Sequence, residues 1–192
     1  MGNKIWLAGT LLLIGLIIAL FLLRPTERLT RRVPAPPPAT GDRVTAVKDG
    51  DTVVITPADG GEPYSCRLYG IDTPETPKRG KPGQPYGEEA AEELKRLVLG
   101  RVVTVALTGE KTYNRQVGVL HADGTNVNLE MVRRGYAWAY VQYLRRPHAS
   151  EYLQAEGEAR RERRGLWQEP KPTPPWEFRK RLRQKKHLDG GE

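Results

Sequence analysis

Residues 44–55 read Val-Thr-Ala-Val-Lys-Asp-Gly-Asp-Thr-Val-Val-Ile, two short β-branched runs on either side of an Asp-Gly pair. β-Branched residues favour strands, and Asp-Gly favours a tight hairpin turn. The stretch therefore predicts an antiparallel hairpin of strands 44–47 and 52–55. Runs of similar composition predict three more strands, at 64–69, 101–107 and 117–121.

Helical patterns lie between and after these strands. Apolar residues recur at helical spacing over 90–98, and Gly100 is placed to end that helix. A shorter helix is predicted to end at Gly135, and a third to run from a Ser150 cap to Arg164. This order of elements predicts an α+β fold, a five-stranded OB-fold Greek-key β-barrel with about three α-helices.

The flanks differ in composition from this domain. Residues 5–23 are a run of 19 without a charge, and at about 1.5 Å per residue such a run nearly crosses a bilayer as a single transmembrane helix. A cleaved secretory signal is the alternative, but its apolar core is usually about 7 to 15 residues. The predicted organisation is a transmembrane anchor at 1–24, a basic, Pro-rich linker at 25–41, a folded domain at 42–168 and a Pro-rich, basic tail at 169–192.

The net charge of +8 is a weak sign of nucleic-acid binding, because most of the surplus lies outside the folded domain. Residues 42–168 hold 19 basic and 18 acidic residues. The tract at 179–186 could be a nucleic-acid or lipid patch, or a solvated and partly disordered tail. Net charge therefore leaves the function open.

Cysteine and histidine usage excludes some classes of site. The single cysteine, Cys66, rules out an intrachain disulfide and a Cys-rich zinc site, and it is expected to be a small buried hydrophobe. Three histidines without ligand-pair spacing also argue against zinc.

A series of acids and arginines stands on the predicted turns and strands. Carboxylates suit a hard divalent cation and a base for water, and guanidiniums match the oxygens of a phosphate. Four of these residues also have a structural explanation. Asp49 and Asp51 could simply belong to the hairpin turn, the turn being the favoured explanation for Asp49, while Asp72 could form an Asx-turn and Arg67 an ion pair with an acid. As a set they predict metal-assisted cleavage of a phosphodiester: Asp49, Asp51, Arg67, Asp72, Glu75 and Arg115.

These residues carry a resemblance to a known family. Asp-Gly-Asp-Thr at 49–52 and Cys-Arg-Leu-Tyr-Gly-Ile-Asp-Thr-Pro-Glu at 66–75 resemble the core signature of the staphylococcal-nuclease (thermonuclease) family. Tyr-Gly-Glu-Glu-Ala at 86–90, Tyr-Asn-Arg at 113–115 and Gly-Leu-Trp at 165–167 resemble later segments of that family. The resemblance covers roughly residues 43–168 and neither flank.

The resemblance implies a Ca²⁺-dependent nuclease that hydrolyses DNA and RNA and leaves 3′-phosphate ends. No obligate protein partner is evident from the sequence. The implied metal ligands are Asp51, Asp72 and the backbone carbonyl of Thr73. The implied catalytic residues are Glu75, as general base, with Arg67 and Arg115 stabilising the transition state, and Tyr113 is implied to bind substrate.

The sequence departs from the family pattern at the second arginine turn. Lys111 stands where the family usually has an acid, and Asn114 where it usually has glycine. Asn tolerates a left-handed backbone, so the turn can survive. Tyr140 or Tyr143 could add a stacking platform for a base.

Two other functions remain open, a catalytically weak OB-fold module that only binds nucleic acid and a membrane-tethered interaction protein. For localisation, we predict a single-pass anchor in the cell membrane, with secretion after signal cleavage as the alternative. Lys4 precedes the apolar run and four arginines follow it, so the positive-inside rule favours a cytoplasmic domain. Scarce cytoplasmic Ca²⁺ and the hazard of a free nuclease favour the extracytoplasmic side.

Overall fold

The predicted hairpin is the start of the fold. The computed structural model describes residues 41–144 and 148–189, and in it β1 (Asp42–Asp49) pairs antiparallel with β2 (Thr52–Thr56). The turn between them needs glycine at position 50. A Cβ there would lie 2.7 Å from the Thr73 hydroxyl oxygen and 2.9 Å from the Ala90 Cβ, so the turn packs directly against the segments that follow it.

Five strands close into a barrel. β3 (Tyr64–Leu68) pairs with β2, and β5 (Val102–Thr112) pairs with both β1 and β6 (Arg115–Ala122). β6 then runs parallel to β3, which completes the ring in the order β3, β2, β1, β5, β6. Closure pairs the backbone N–H and C=O groups that the edge strands of an open sheet would leave exposed. Three two-residue strands supplement the barrel: β4 (Ile71–Asp72), β7 (Thr125–Asn126) and β8 (Trp138–Ala139).

Four α-helices and one 3₁₀ turn are present in the described ranges. They are α1 (Gly87–Val98), α2 (Val127–Arg133), α3 (His148–Arg161), the 3₁₀ turn Gly165–Gln168 and α4 (Pro175–Asp189). Gly100 follows the end of α1 with φ of +74°, as the sequence predicts. The prediction that Ser150 caps the third helix is wrong, because α3 already begins at His148 and Ser150 lies in its first turn.

The core fills the barrel and continues under the helices. Fully buried side chains from the strands meet apolar side chains of α1 and α2, with Tyr152 of α3 closing the cluster. Cys66 is completely buried there, and burial raises the pKa of its thiol to about 11. The expectation of a small buried hydrophobe is therefore confirmed.

The α+β, OB-fold-like architecture agrees with the prediction. The structure has one helix more than the three predicted in the domain, namely α4, which lies in the segment predicted as a tail. The predicted transmembrane helix at 5–23 and the linker lie outside the described residues. Within 41–144 and 148–189, no helix is long and apolar enough to cross a bilayer.

Candidate active site

The parallel pairing of β3 with β6 places two arginines on one face of the barrel. Ser65 is the partner of Arg115, and Arg67 lies two residues further along β3. Residues two apart on a strand share a face, so both guanidiniums project to the same side. The sequence predicted these two arginines as a pair, and the barrel closure is what brings them together.

Arg67 joins two buried acids. Its Nη2 lies 2.9 Å from Asp51 Oδ2 and 2.8 Å from Asp72 Oδ1, and its Nη1 lies 3.2 Å from Asp51 Oδ1. Both acids are buried, with 4% and 0% of Asp51 and Asp72 exposed. The structural alternative for Arg67, an ion pair with an acid, is therefore what the structure has. These contacts involve Nη1 and Nη2, and a guanidinium carries five N–H donors in all, so a phosphate contact does not require Arg67 to leave either acid.

Burial also shifts the ionisation of Asp51. Desolvation, together with the charges of Asp49 and Asp72, raises the pKa of Asp51 to about 7 although Arg67 acts in the opposite direction. Burial alone would raise the pKa of Asp49 as well, but hydrogen bonding and the nearby Lys78 ammonium lower it overall. Asp49 Oδ2 lies 3.2 Å from Lys78 Nζ, and its Oδ1 faces the Asp51 amide at 3.4 Å, as expected for a turn residue.

Arg115 is connected to this acidic centre through Thr52. Arg115 Nη1 donates to Thr52 Oγ1 at 3.3 Å, and that hydroxyl donates to Asp51 Oδ1 at 2.9 Å. The two-residue hairpin turn before Arg115 has Tyr113, not Asn114, in the left-handed region, with φ of 55°. The turn survives as predicted, but a different residue adopts the unusual backbone. Tyr113 is 92% exposed and lines the site.

Glu75 lies on an irregular loop whose backbone is held by two hydrogen bonds to Gln84. The backbone amide of Glu75 donates to the side-chain Oε1 of Gln84 at 3.1 Å, and the backbone amide of Gln84 donates to the Glu75 carbonyl at 2.8 Å. This reciprocal pair sets the backbone direction at Glu75 and leaves its carboxylate facing the site. Gln84 is a positioning residue that sequence reasoning missed, since no motif marks it.

The start of α1 also packs on this loop, and we expect Gly87→Ala to destabilise the protein. A Cβ at Gly87 would lie 2.2 Å from the Glu75 carbonyl oxygen, so the backbone must move, at a cost of about 1–3 kcal/mol for overpacking. Chemical denaturation with a linear extrapolation measures the change. Gly157→Ala in α3 is the matched control, because its nearest neighbour is the end of Arg161 at 3.5 Å. Equal stability of the two variants would refute the close packing at Gly87.

Arg179 is the second residue that sequence reasoning did not single out. It lies on α4, and its Nη2 is 2.7 Å from Asp72 Oδ2 while its Nη1 is 2.7 Å from Glu75 Oε1. Although burial opposes it, pairing with these two acids raises the pKa of Arg179. The only sequence signal was its place at the start of the basic tract.

One open cavity of about 830 Å³ is lined by six of these residues: Asp51, Arg67, Glu75, Tyr113, Arg115 and Arg179. Its volume is typical of sites for small organic ligands. Asp72 is buried and is joined to this lining by its ion pairs with Arg67 and Arg179. Other basic and aromatic side chains also line the cavity, including Lys111 at the position of the charge reversal. Tyr140 and Tyr143 both line it, with ring centroids 4.8 Å apart, so the choice between them as a stacking platform stays open. Such a cavity can hold an anionic ligand above a cluster of carboxylates.

The donor set is suited to a hard cation. Asp51 and Asp72 offer buried carboxylate oxygens, and Thr73 also lines the cavity. Ca²⁺ accepts such oxygens together with backbone carbonyls and water. In the described part of the chain, no group of three or more His, Cys, Asp or Glu side chains is arranged to hold a metal. Any ion here would therefore rely on two carboxylates, a carbonyl and water.

Known proteins show clear sequence similarity to this chain. Residues 65–169 match the family model described as staphylococcal nuclease homologue. An uncharacterized endonuclease of Escherichia coli O157:H7 is 41% identical over 140 residues, which is 72% of this chain and 84% of that protein.

Two further relatives extend the comparison. The micrococcal nuclease of Shigella flexneri is 34% identical over 146 residues, covering 71% of this chain and 79% of that protein. A staphylococcal-like nuclease of Arabidopsis thaliana is 39% identical over 120 residues, 62% of this chain but only 34% of the plant protein. The chain belongs to the staphylococcal nuclease family.

Proposed function

We propose that this chain is a Ca²⁺-dependent endonuclease that hydrolyses the phosphodiester bonds of DNA and RNA and leaves 3′-phosphate ends. The observation that carries the proposal is the convergence of Asp51, Glu75, Arg67 and Arg115 at one cavity, with the buried Asp72 paired to Arg67 at 2.8 Å. The names of the relatives, endonuclease and micrococcal nuclease, support the reaction class.

Asp51, Asp72 and the Thr73 carbonyl would hold the cation. When bound, the ion supplies positive charge that stabilises the developing charge on phosphate. The protein's own contribution is a rigid frame. Asp51 directly precedes β2 and its carbonyl accepts a hydrogen bond from the Leu68 amide of β3 at 2.8 Å, while β4 pairs Asp72 with Trp138 of β8.

Glu75 would accept the proton of the attacking water, since its carboxylate faces the cavity and its backbone is held by Gln84. Arg115 would donate hydrogen bonds to a non-bridging phosphate oxygen, and Arg67 would do so while it stays paired with its two acids. Tyr113, exposed at the cavity rim, would contact the nucleotide. Attack in line with the departing 5′-oxygen leaves the phosphate on the 3′ side.

Removal of the metal should abolish activity. We expect the full chain to cut a single-stranded DNA oligonucleotide and an RNA of the same sequence in CaCl₂, and to cut neither in EGTA. Product ends are read by polymerase extension, which a 3′-phosphate blocks until a phosphatase removes it. Cleavage that persists in chelator would contradict the metal assignment, and products that extend without phosphatase would contradict the position of bond breakage.

A further inference from the structure

The segment after the family match packs onto the proposed active site. Trp176 at the start of α4 stacks on Tyr140 with ring centroids 5.2 Å apart and planes 2° from parallel, and it meets the edge of Trp138 at 5.6 Å. Gln84 Nε2 donates to the Thr173 carbonyl at 2.9 Å. Aromatic contacts and a hydrogen bond thus fix the beginning of α4 beside the cavity.

One turn after Trp176, the helix inserts a charge between two of the acids. Arg179 donates to both oxygens of Asp72, at 2.7 and 3.1 Å, and to Glu75 Oε1 at 2.7 Å. The guanidinium therefore bridges a proposed metal ligand and the proposed general base. Arg183, one further turn along α4, lines the same cavity.

This contact leaves little room for a divalent ion at Asp72. Oδ1 already accepts hydrogen bonds from Arg67 and Arg179, and Oδ2 accepts one from Arg179. A carboxylate has only about four lone-pair positions, and two positive groups within a few ångströms repel strongly in a buried site. The same guanidinium also pairs with Oε1, one of the two Glu75 oxygens that could accept a proton.

We propose that Arg179 is a tethered cation that competes with a divalent ion for the carboxylates of Asp72 and Glu75, so that docking of α4 and binding of Ca²⁺ exclude one another. The inference rests on the function proposed above. It makes the tail an autoinhibitory element, with Arg179 setting the apparent affinity for the metal and Trp176 setting the population of the closed state.

Calcium affinity of the full chain tests this directly. Isothermal titration with CaCl₂, without substrate, should show Arg179→Ala binding Ca²⁺ about tenfold or more tightly than the wild type, because a closed state reduces apparent affinity by the fraction that is open. Trp176→Ala removes the stacking but no charge, and it should shift the affinity in the same direction. Arg181→Ala is the matched control, since Arg181 lies on the exposed side of α4, where its side chain is 68% exposed and pairs with Glu177 at 3.5 Å.

A second readout follows the helix itself. In the wild type, CaCl₂ should change the tryptophan emission as Trp176 leaves Tyr140, and this change should be missing in Trp176→Ala. Equal or weaker binding by Arg179→Ala would overturn the inference alone and make Arg179 a neutral or supporting residue. An increase in Arg181→Ala equal to that in Arg179→Ala would overturn it too, as a general charge effect. Absence of Ca²⁺ binding in every protein would overturn the metal assignment and this inference together.

Discussion

Glu75→Gln should lower kcat by about 10²–10⁴-fold, the usual contribution of a positioned general base. Glutamine keeps the size and the backbone contacts with Gln84 but cannot accept the proton of water. The substitution also weakens the ion pair between residue 75 and Arg179. A weaker ion pair would by itself open the site, so this effect opposes the expected loss of kcat. Single-turnover cleavage of a labelled oligonucleotide measures the chemical step.

Glu88→Gln is the control for this substitution, because Glu88 is exposed in the first turn of α1. DNA affinity measured in EGTA should be similar in the two variants. Full cleavage by Glu75→Gln would contradict the role of general base. Retained DNA binding with no cleavage even by the wild type would favour a nucleic-acid-binding module instead.

Arg67→Met should destabilise the protein and abolish activity. The substitution leaves Asp51 and Asp72 buried without their shared partner, and breaking a buried ion pair costs about 3–5 kcal/mol. The lower end applies here, because the Arg67 side chain is 19% exposed and Arg179 also pairs with Asp72. Denaturant unfolding in EGTA gives the loss of stability.

The loss of stability in Arg67→Met should depend on pH. Arg67 lowers the pKa of Asp51, which is about 7 in its presence, so its removal raises that pKa further. A raised acid pKa favours the folded state at low pH, and this advantage disappears as pH rises through the folded value. The difference between variant and wild type should therefore be larger at pH 8.5 than at pH 6.

Arg101→Met provides the comparison, because Arg101 pairs with Asp123 at the surface, where their side chains are 49% and 78% exposed. Exposed pairs contribute about 0–1 kcal/mol. Similar losses in the two variants would show that the Arg67 cluster is no more important to the fold than a surface pair.

The barrel could be predicted from sequence because its signals are local. β-Branched runs and the Asp-Gly turn mark β1 and β2, and glycines mark the ends of α1 and α2. The two-residue strands β4 and β8 were missed, since they exist only where Ile71 meets Ala139 and Asp72 meets Trp138. Their pairing is tertiary and leaves no periodic pattern in the chain.

The site was predicted in part for a similar reason. Asp51, Arg67, Asp72 and Glu75 belong to short motifs, and the structure brings three of them to one cavity and pairs the buried Asp72 with Arg67. Arg179 could not be assigned to the site from the sequence, because α4 has no regular apolar face that predicts where it docks. Its docking depends on distant partners, since Arg179 and Asp72 are 107 positions apart in the chain. The roles of these residues stay predictions.

The parallel ladder between β3 and β6 has a consequence for folding kinetics. It joins segments separated by all of α1 and β5, and such non-local pairing forms slowly because chain entropy is lost before the contacts form. Arg67 and Arg115 meet only when this ladder closes. A partly folded chain therefore lacks the arginine pair, and assembly of the site is tied to completion of the barrel.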